Sequence, residues 1–116
     1  MKRRFRLTRS TDFKRVRRSG KSYAHPLVVL YVQKSEGSDV RVGLSASVSI
    51  GNAVRRNRAK RLMREAMSRL IPLILPGVEL LLIARAALPD ADLFQTQDAL
   101  QALLGRAGLL IPVHDS

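Results

Sequence analysis

Between Asn52 and Leu70 the sequence carries two patterns at once. Ala59, Leu62, Met63, Ala66, Met67 and Leu70 recur at intervals of three and four, which places them on one side of a helix. Basic residues occupy positions 55, 56, 58, 60, 61, 64 and 69, and Asn57, Lys60, Arg61 and Arg64 are predicted to project from the opposite side. Such a helix must pack one face on a core and leave the other to solvent or to a partner. Within the stretch only Glu65 can neutralise the ridge, so ion pairs along the helix do not account for it. Guanidinium groups fork onto phosphate oxygens, and Asn57 can both donate to and accept from a ribose or base edge. The segment therefore reads as a polyanion-binding ridge, against the plainer alternative of a solvated helix face.

The rest of the chain supports that reading by where its charge lies. Residues 1–69 hold 19 Lys and Arg against 4 Asp and Glu, whereas residues 70–116 hold 2 against 5. A one-sided cationic field attracts polyanions through steering and counterion release, so nucleic acid or an anionic membrane surface is the natural partner; solubility alone does not need such clustering. A membrane-surface helix would not normally sit between strands with a Met and Leu stripe suited to packing on a sheet. The most apolar stretch, Leu70–Ala84, is interrupted by Pro72, Pro76, Gly77 and Glu79 and is too short to span a bilayer. The basic start runs into polar residues and does not read as a secretory signal, although organelle transit peptides can begin this way. Without cysteine the chain has no disulfide, thiolate nucleophile or cysteine-bound zinc. A reducing, cytoplasmic setting fits.

One domain is predicted over residues 1–116, with flexible termini at 1–6 and 109–116. Ser10 is a candidate cap for a short helix through Val16 and Arg18, with Asp12 in its first turn and Gly20 as its stop. Leu27–Val32 reads as a strand, Ser35–Asp39 as a turn and Val40–Ser45 as a second, antiparallel strand. After the basic helix, Val78–Ala84 reads as a mostly apolar strand in the centre of the sheet. Asp92 or Asp90 then opens a last helix through Leu93, Leu100, Leu103 and Leu104, ending near Gly105 or Gly108. The order is helix, two or three strands, helix, strand, helix.

For a self-sufficient enzyme the inventory is poor. His25 and His114 are the only histidines, and no pair of carboxylates stands at metal-binding or acid–base spacing on one predicted element. No catalytic residue and no metal ligand is assigned. Gly51–Asn52 is a turn or helix start, without the Gly-rich spacing and Lys of a phosphate-binding loop. A DNA reader is not supported either, since strands rather than a second helix flank the basic helix.

The run AVRRNRAKRLMRE, residues 53–65, resembles the Arg-Asn-Arg signature of the bacterial ribonuclease P protein subunit. The segments LTRSTDFKRVRRSG, LVVLYV, RVGLS and LLLIAR fall around it in the family's order, so the resemblance covers roughly residues 5–107. It implies an α/β (α+β) two-layer sandwich of ribosomal-protein-like topology, α-β-β(-β)-α-β-α, with a left-handed βαβ crossover. It further implies an accessory, non-catalytic subunit of an endonuclease. In that family the RNA subunit removes the 5′ leader of precursor tRNA with Mg²⁺ that it largely binds itself. The resemblance puts Arg55, Arg56, Asn57, Arg58, Lys60, Arg61 and Arg64 against the catalytic RNA. It puts Phe13, Val16, Arg17 and Tyr31 in a cleft for the single-stranded leader, with Lys14, Arg15 and Arg18 as further phosphate contacts. No small-molecule substrate is implied, and the protein alone is expected to be a monomer.

Two departures from the family pattern bear on these assignments. Val48 and Ser49 stand where the family usually has a Lys pair, and Arg17 stands where some members have a second cleft aromatic. Leader binding is thus expected to rely less on stacking and more on charge. Core packing is the alternative for Phe13, Val16 and Tyr31. The alternative for the whole chain is a ribosomal or assembly protein that binds structured RNA.

Overall fold

The computed structural model describes residues 1–112, so His114 lies outside the described residues. Three helices and four strands are formed: α1 (Ser10–Ser19), β1 (Lys21–Ala24), β2 (Val28–Lys34), β3 (Val40–Ser45), α2 (Ala53–Leu70), β4 (Val78–Ala84) and α3 (Leu93–Arg106). The mixed α+β order and its β3-α2-β4 crossover unit, with β3 and β4 parallel, are those implied by the resemblance.

The strands lie in the order β1-β2-β4-β3. β4 is central because its sequence, Val-Glu-Leu-Leu-Leu-Ile-Ala, is buried on both faces. That placement corrects the strand–turn–strand reading of residues 27–45. β2 and β3 run antiparallel to each other, but β4 is inserted between them, antiparallel to β2 and parallel to β3. The loop at Ser35–Asp39 wraps the start of β4 instead of closing a hairpin: Gly77 N–H donates to Asp39 O at 3.0 Å, and Ser35 N–H donates to Gly77 O at 2.9 Å. Alternation tells which face a residue occupies, not which strand is its neighbour. The edge strand β1 carried no alternation signal, because only Tyr23 of its four residues is withdrawn from solvent.

One face of the sheet carries the main core. Val28, Leu30, Val42, Leu80 and Leu82 meet Ala59, Met63, Ala66, Met67 and Leu70 of α2 and Leu100, Leu103 and Leu104 of α3. Each fully buried Leu or Met contributes about 1.5–3 kcal/mol. Asn52 caps α2 by accepting from Arg55 N–H at 3.0 Å, and Asp92 with Gln95 forms a reciprocal capping box on α3. Gly51 is required before α2, since its φ of 134° is closed to side-chain-bearing residues.

The opposite face carries α1 and a smaller cluster of Leu7, Val16 and Leu81, flanked by Phe13, Tyr31 and Ile83. Ser10 is the first residue of α1 and not its cap; Arg9 holds the cap position and makes no side-chain cap bond. Gly20 ends the helix as predicted, its N–H donating to Val16 O at 2.8 Å. The described parts of the two ends predicted to be flexible are seated on the fold. Arg3–Phe5 forms a turn of 3₁₀ helix, Arg6 bridges to Val42, and Leu109–Ile111 exchanges hydrogen bonds with Leu73 and Leu75. Buried Leu7 and half-buried Leu109 and Leu110 supply the apolar anchors that fix them.

Candidate nucleic-acid interface

Six of the seven basic residues of α2, together with Asn57, sort into three rows by their angle around the helix axis. Toward α3, Arg55 makes a bidentate contact with Asp90, Nη1–Oδ1 3.0 Å and Nη2–Oδ2 3.1 Å, and its Nε donates to Ile50 O at 3.3 Å. This pairing raises the Arg55 pKa and lowers that of Asp90. One turn along, Arg58 donates from Nε to Pro89 O and from Nη2 to Ala91 O at 3.3 Å. Both arginines were assigned to RNA, yet both hold the Leu88–Asp90 turn that feeds α3 onto α2.

The second row points outward: Asn57 and Arg61 are exposed and make no side-chain hydrogen bond among the described residues. The third row, Arg56, Lys60 and Arg64 at i, i+4 and i+8, flanks the core on the side of β3 and the N-terminal segment. Lys60 and Arg64 are half-buried there, not opposite the apolar stripe as predicted. Among the described residues, Arg56 Nε and Arg64 Nε are the buried side-chain polar atoms without a hydrogen-bond partner. A buried donor left unmatched costs about 1–3 kcal/mol, and both arginines are partly exposed, so a small rotation of either guanidinium could meet an acceptor from outside.

Beside this row lies a recess of about 280 Å³ lined by Met1, Arg6, Leu7, Thr8, Phe13, Val42, Leu44, Lys60 and Arg64. A smaller cleft of about 100 Å³ opens under α1, lined by Phe13, Lys14, Arg17, Ser45, Leu81 and Ile83. Phe13 is the wall common to both. Its ring lies against the backbone of β3, and a Cβ at Gly43 would stand 2.5 Å from Phe13 Cε1. A glycine inside an alternating strand is the sequence signal for such a close approach of another group to the backbone.

Of the leader residues, Phe13 and Tyr31 are half-buried on the α1 face of the sheet, and Arg17 is exposed at the cleft. Val16 is 0% exposed and is the apolar wedge beneath α1, so it does not reach a ligand. Arg15 is likewise removed from the phosphate contacts. On the side of α1 away from Phe13 and Arg17, it donates to Glu79 Oε1 and Oε2 at 2.7 and 3.0 Å, to Asp12 Oδ1 at 2.9 Å and to Gln33 Oε1 at 3.2 Å. These bonds tie α1 to β2 and β4 and neutralise the one buried carboxylate of the sheet. They also raise the Arg15 pKa, Glu79 acting most strongly. Val48 is 77% exposed, and Ser47 and Ser49 pair by their hydroxyls at 2.6 Å.

A cationic helix face joined through an aromatic residue to a second basic cleft, on a mixed α+β sheet, gives this side of the fold the sign of charge that attracts polyanions. A family model for ribonuclease P matches residues 1–108. The ribonuclease P protein component of Herpetosiphon aurantiacus is 41% identical over 109 residues, which cover 94% of this chain and 89% of the relative. The solved RNase P protein of Staphylococcus aureus superposes with a TM-score of 0.82 at 33% identity, covering 91% of this chain and 97% of that one. That of Thermotoga maritima gives a TM-score of 0.78 at 30% identity, with 87% and 96% covered. The chain belongs to the ribonuclease P protein family.

Proposed function

We propose that this chain binds the catalytic RNA of ribonuclease P through the Arg56–Lys60–Arg64 row with Asn57 and Arg61, and holds the 5′ leader of precursor tRNA in the cleft under α1. In this role it assists endonucleolytic removal of the leader, while the RNA carries out phosphodiester hydrolysis. The partly exposed guanidinium side chains of Arg56 and Arg64, for which the protein supplies no acceptor, carry the reading, because backbone phosphate oxygens are the acceptors that an RNA brings in number. Magnesium is assigned to the RNA. The carboxylates on or beside the basic helix are Glu65 and the Arg55-paired Asp90, and a surface of this sign repels a divalent cation.

Reconstitution tests this. Protein added to the cognate RNA should lower the magnesium concentration needed for precursor cleavage, and pull-down of the endogenous partner should return that RNA. Co-sedimentation with a ribosomal subunit, with no effect on precursor cleavage, would replace this reading by that of a ribosomal or assembly protein.

A further inference from the structure

In a chain of net charge +12, the segments 70–78 and 107–112 contain no charged residue. They meet beyond the C-terminal end of α2, where Ile74 bridges to Leu110 in antiparallel sense. Leu75 N–H donates to Leu109 O at 2.7 Å, and Ile111 N–H donates to Leu73 O at 2.8 Å. This small ladder lies outside the main sheet. Ile74 and Leu110 face the core, whereas Leu73, Leu75 and Ile111 face outward and are 51%, 38% and 45% exposed. The two bonds make Ile74–Leu110 a non-hydrogen-bonded pair, in which the backbone groups point away from the facing strand. Ile74 N–H turns back to Ile71 O at 3.1 Å, but Leu110 N–H and O make no backbone hydrogen bond among the described residues. They form an open edge. Charged side chains usually guard such edges, and here there are none. Gly108, with φ 71°, and Pro112, without an N–H, bound the edge on either side of Leu110.

We propose that this edge is a self-association surface, on which Leu110 pairs antiparallel with Leu110 of a second copy, each N–H donating to the other's O. Two observations select a second copy as the occupant. A residue that offers one free donor and one free acceptor is complementary to itself about a two-fold axis. The same axis sets Leu109 opposite Ile111 of the second copy on both sides of the pair, joining the two apolar rows. The second observation is charge. Arg61 and Arg56 lie about 14 and 21 Å back along α2 from Leu70, so two cationic copies meet here where their repulsion is weakest, and a phosphate finds no cation. Pro112 ends the pairing after one residue, which closes the assembly at two copies. A contact this short falls well below the roughly 800 Å² per partner of a stable interface, so the pairing is weak. The dilute chain is then a monomer, as the family resemblance leads one to expect, and the concentrated chain pairs with both basic ridges outside the contact.

The absence of cysteine permits a test of register in the full chain. In the proposed pairing Leu109 and Ile111 of the second copy form a non-hydrogen-bonded pair with Cα atoms about 4.5 Å apart, which is within disulfide reach. Chains carrying Leu109→Cys and Ile111→Cys, mixed and mildly oxidised, should therefore form a disulfide-linked dimer several-fold faster than either variant alone. Equal rates overturn the pairing. Sedimentation equilibrium of the unmodified chain, taken to about 1 mM, should show reversible dimers that strengthen with added salt, because salt screens the repulsion between like-charged copies. Ile111→Lys should weaken that association by about tenfold or more, since it places a like charge on each side of the axis. A monomer at every concentration overturns the proposal. So does a full chain that stays monomeric while residues 1–112 alone dimerise, because residues 113–116 are then the occupant of the edge. Circular dichroism of each variant confirms that the fold is intact.

Discussion

The two flanks of α2 carry the same residue type to opposite ends. Arg55 and Arg58 face α3 and are satisfied by Asp90, Pro89 and Ala91. Arg56 and Arg64 lie on the other flank, Arg64 beside β3 and the N-terminal segment, and each keeps a buried Nε unmatched. One flank is a fastening within the protein, and the other has no protein acceptor for its arginines. Charge density along a helix therefore overstates the contacts available to a polyanion, because neighbouring acceptors remove some of the donors.

Replacing Arg56 and Arg64 together by Ala should separate the flanks most widely. RNA affinity near physiological salt should fall by roughly 100-fold, about 2.7 kcal/mol, and the log–log salt slope should shrink by about 1.4–1.8, with the thermal midpoint held or raised. An unchanged salt slope would show that this flank does not meet phosphate. Gly43→Ala carries the comparison to the cleft: the new Cβ displaces Phe13, costing about 1–3 kcal/mol of stability and reducing discrimination between leader-bearing and mature tRNA. Retained discrimination would place Phe13 in the core alone. Arg58→Ala should have the reverse profile of the double variant, losing about 1 kcal/mol of stability by denaturant titration while RNA affinity changes less than about threefold.

The smallest effect belongs to the exposed Arg55–Asp90 pair. Asp90 has a lowered pKa when folded, so its contribution to stability is present above the ordinary carboxylate range and disappears as the pH falls through the lowered value. Asp90→Asn should abolish that part of the acid dependence, and added salt should reduce it in the parent. An identical acid profile for the two proteins would mean that the pair has no stabilising effect in solution.

Much of the architecture was legible because it depends on local pattern. The 3.6-residue stripe located α2, the Asp90 and Asp92 cap candidates located α3, with Asp92 the cap in the structure, and the apolar run of Val78–Ala84 pointed to a central strand. Local pattern failed where partners are distant in sequence. Ser35–Asp39 resembled a hairpin turn, yet the neighbour of both flanking strands is β4, which enters after the whole of α2. The same limit applied to side chains. Arg15 looked like any other basic residue of α1 until Glu79 of β4 came within 2.7 Å, and Val16 looked like a cleft residue until α1 settled on Leu81.

The sequence by itself determined the class of element at most positions, the cationic character of one half of the chain and, through the RNR run, the family. Those properties are carried by periodicity, composition and short spacing. Only the tertiary structure decided which arginines are donors to the protein and which have no protein acceptor, that Phe13 stands between two recesses, and that the N-terminal segment lies beside the basic helix. These depend on which acceptors and which backbones lie within a few ångströms, and the chain brings those together only when the sheet order places β4 between β2 and β3.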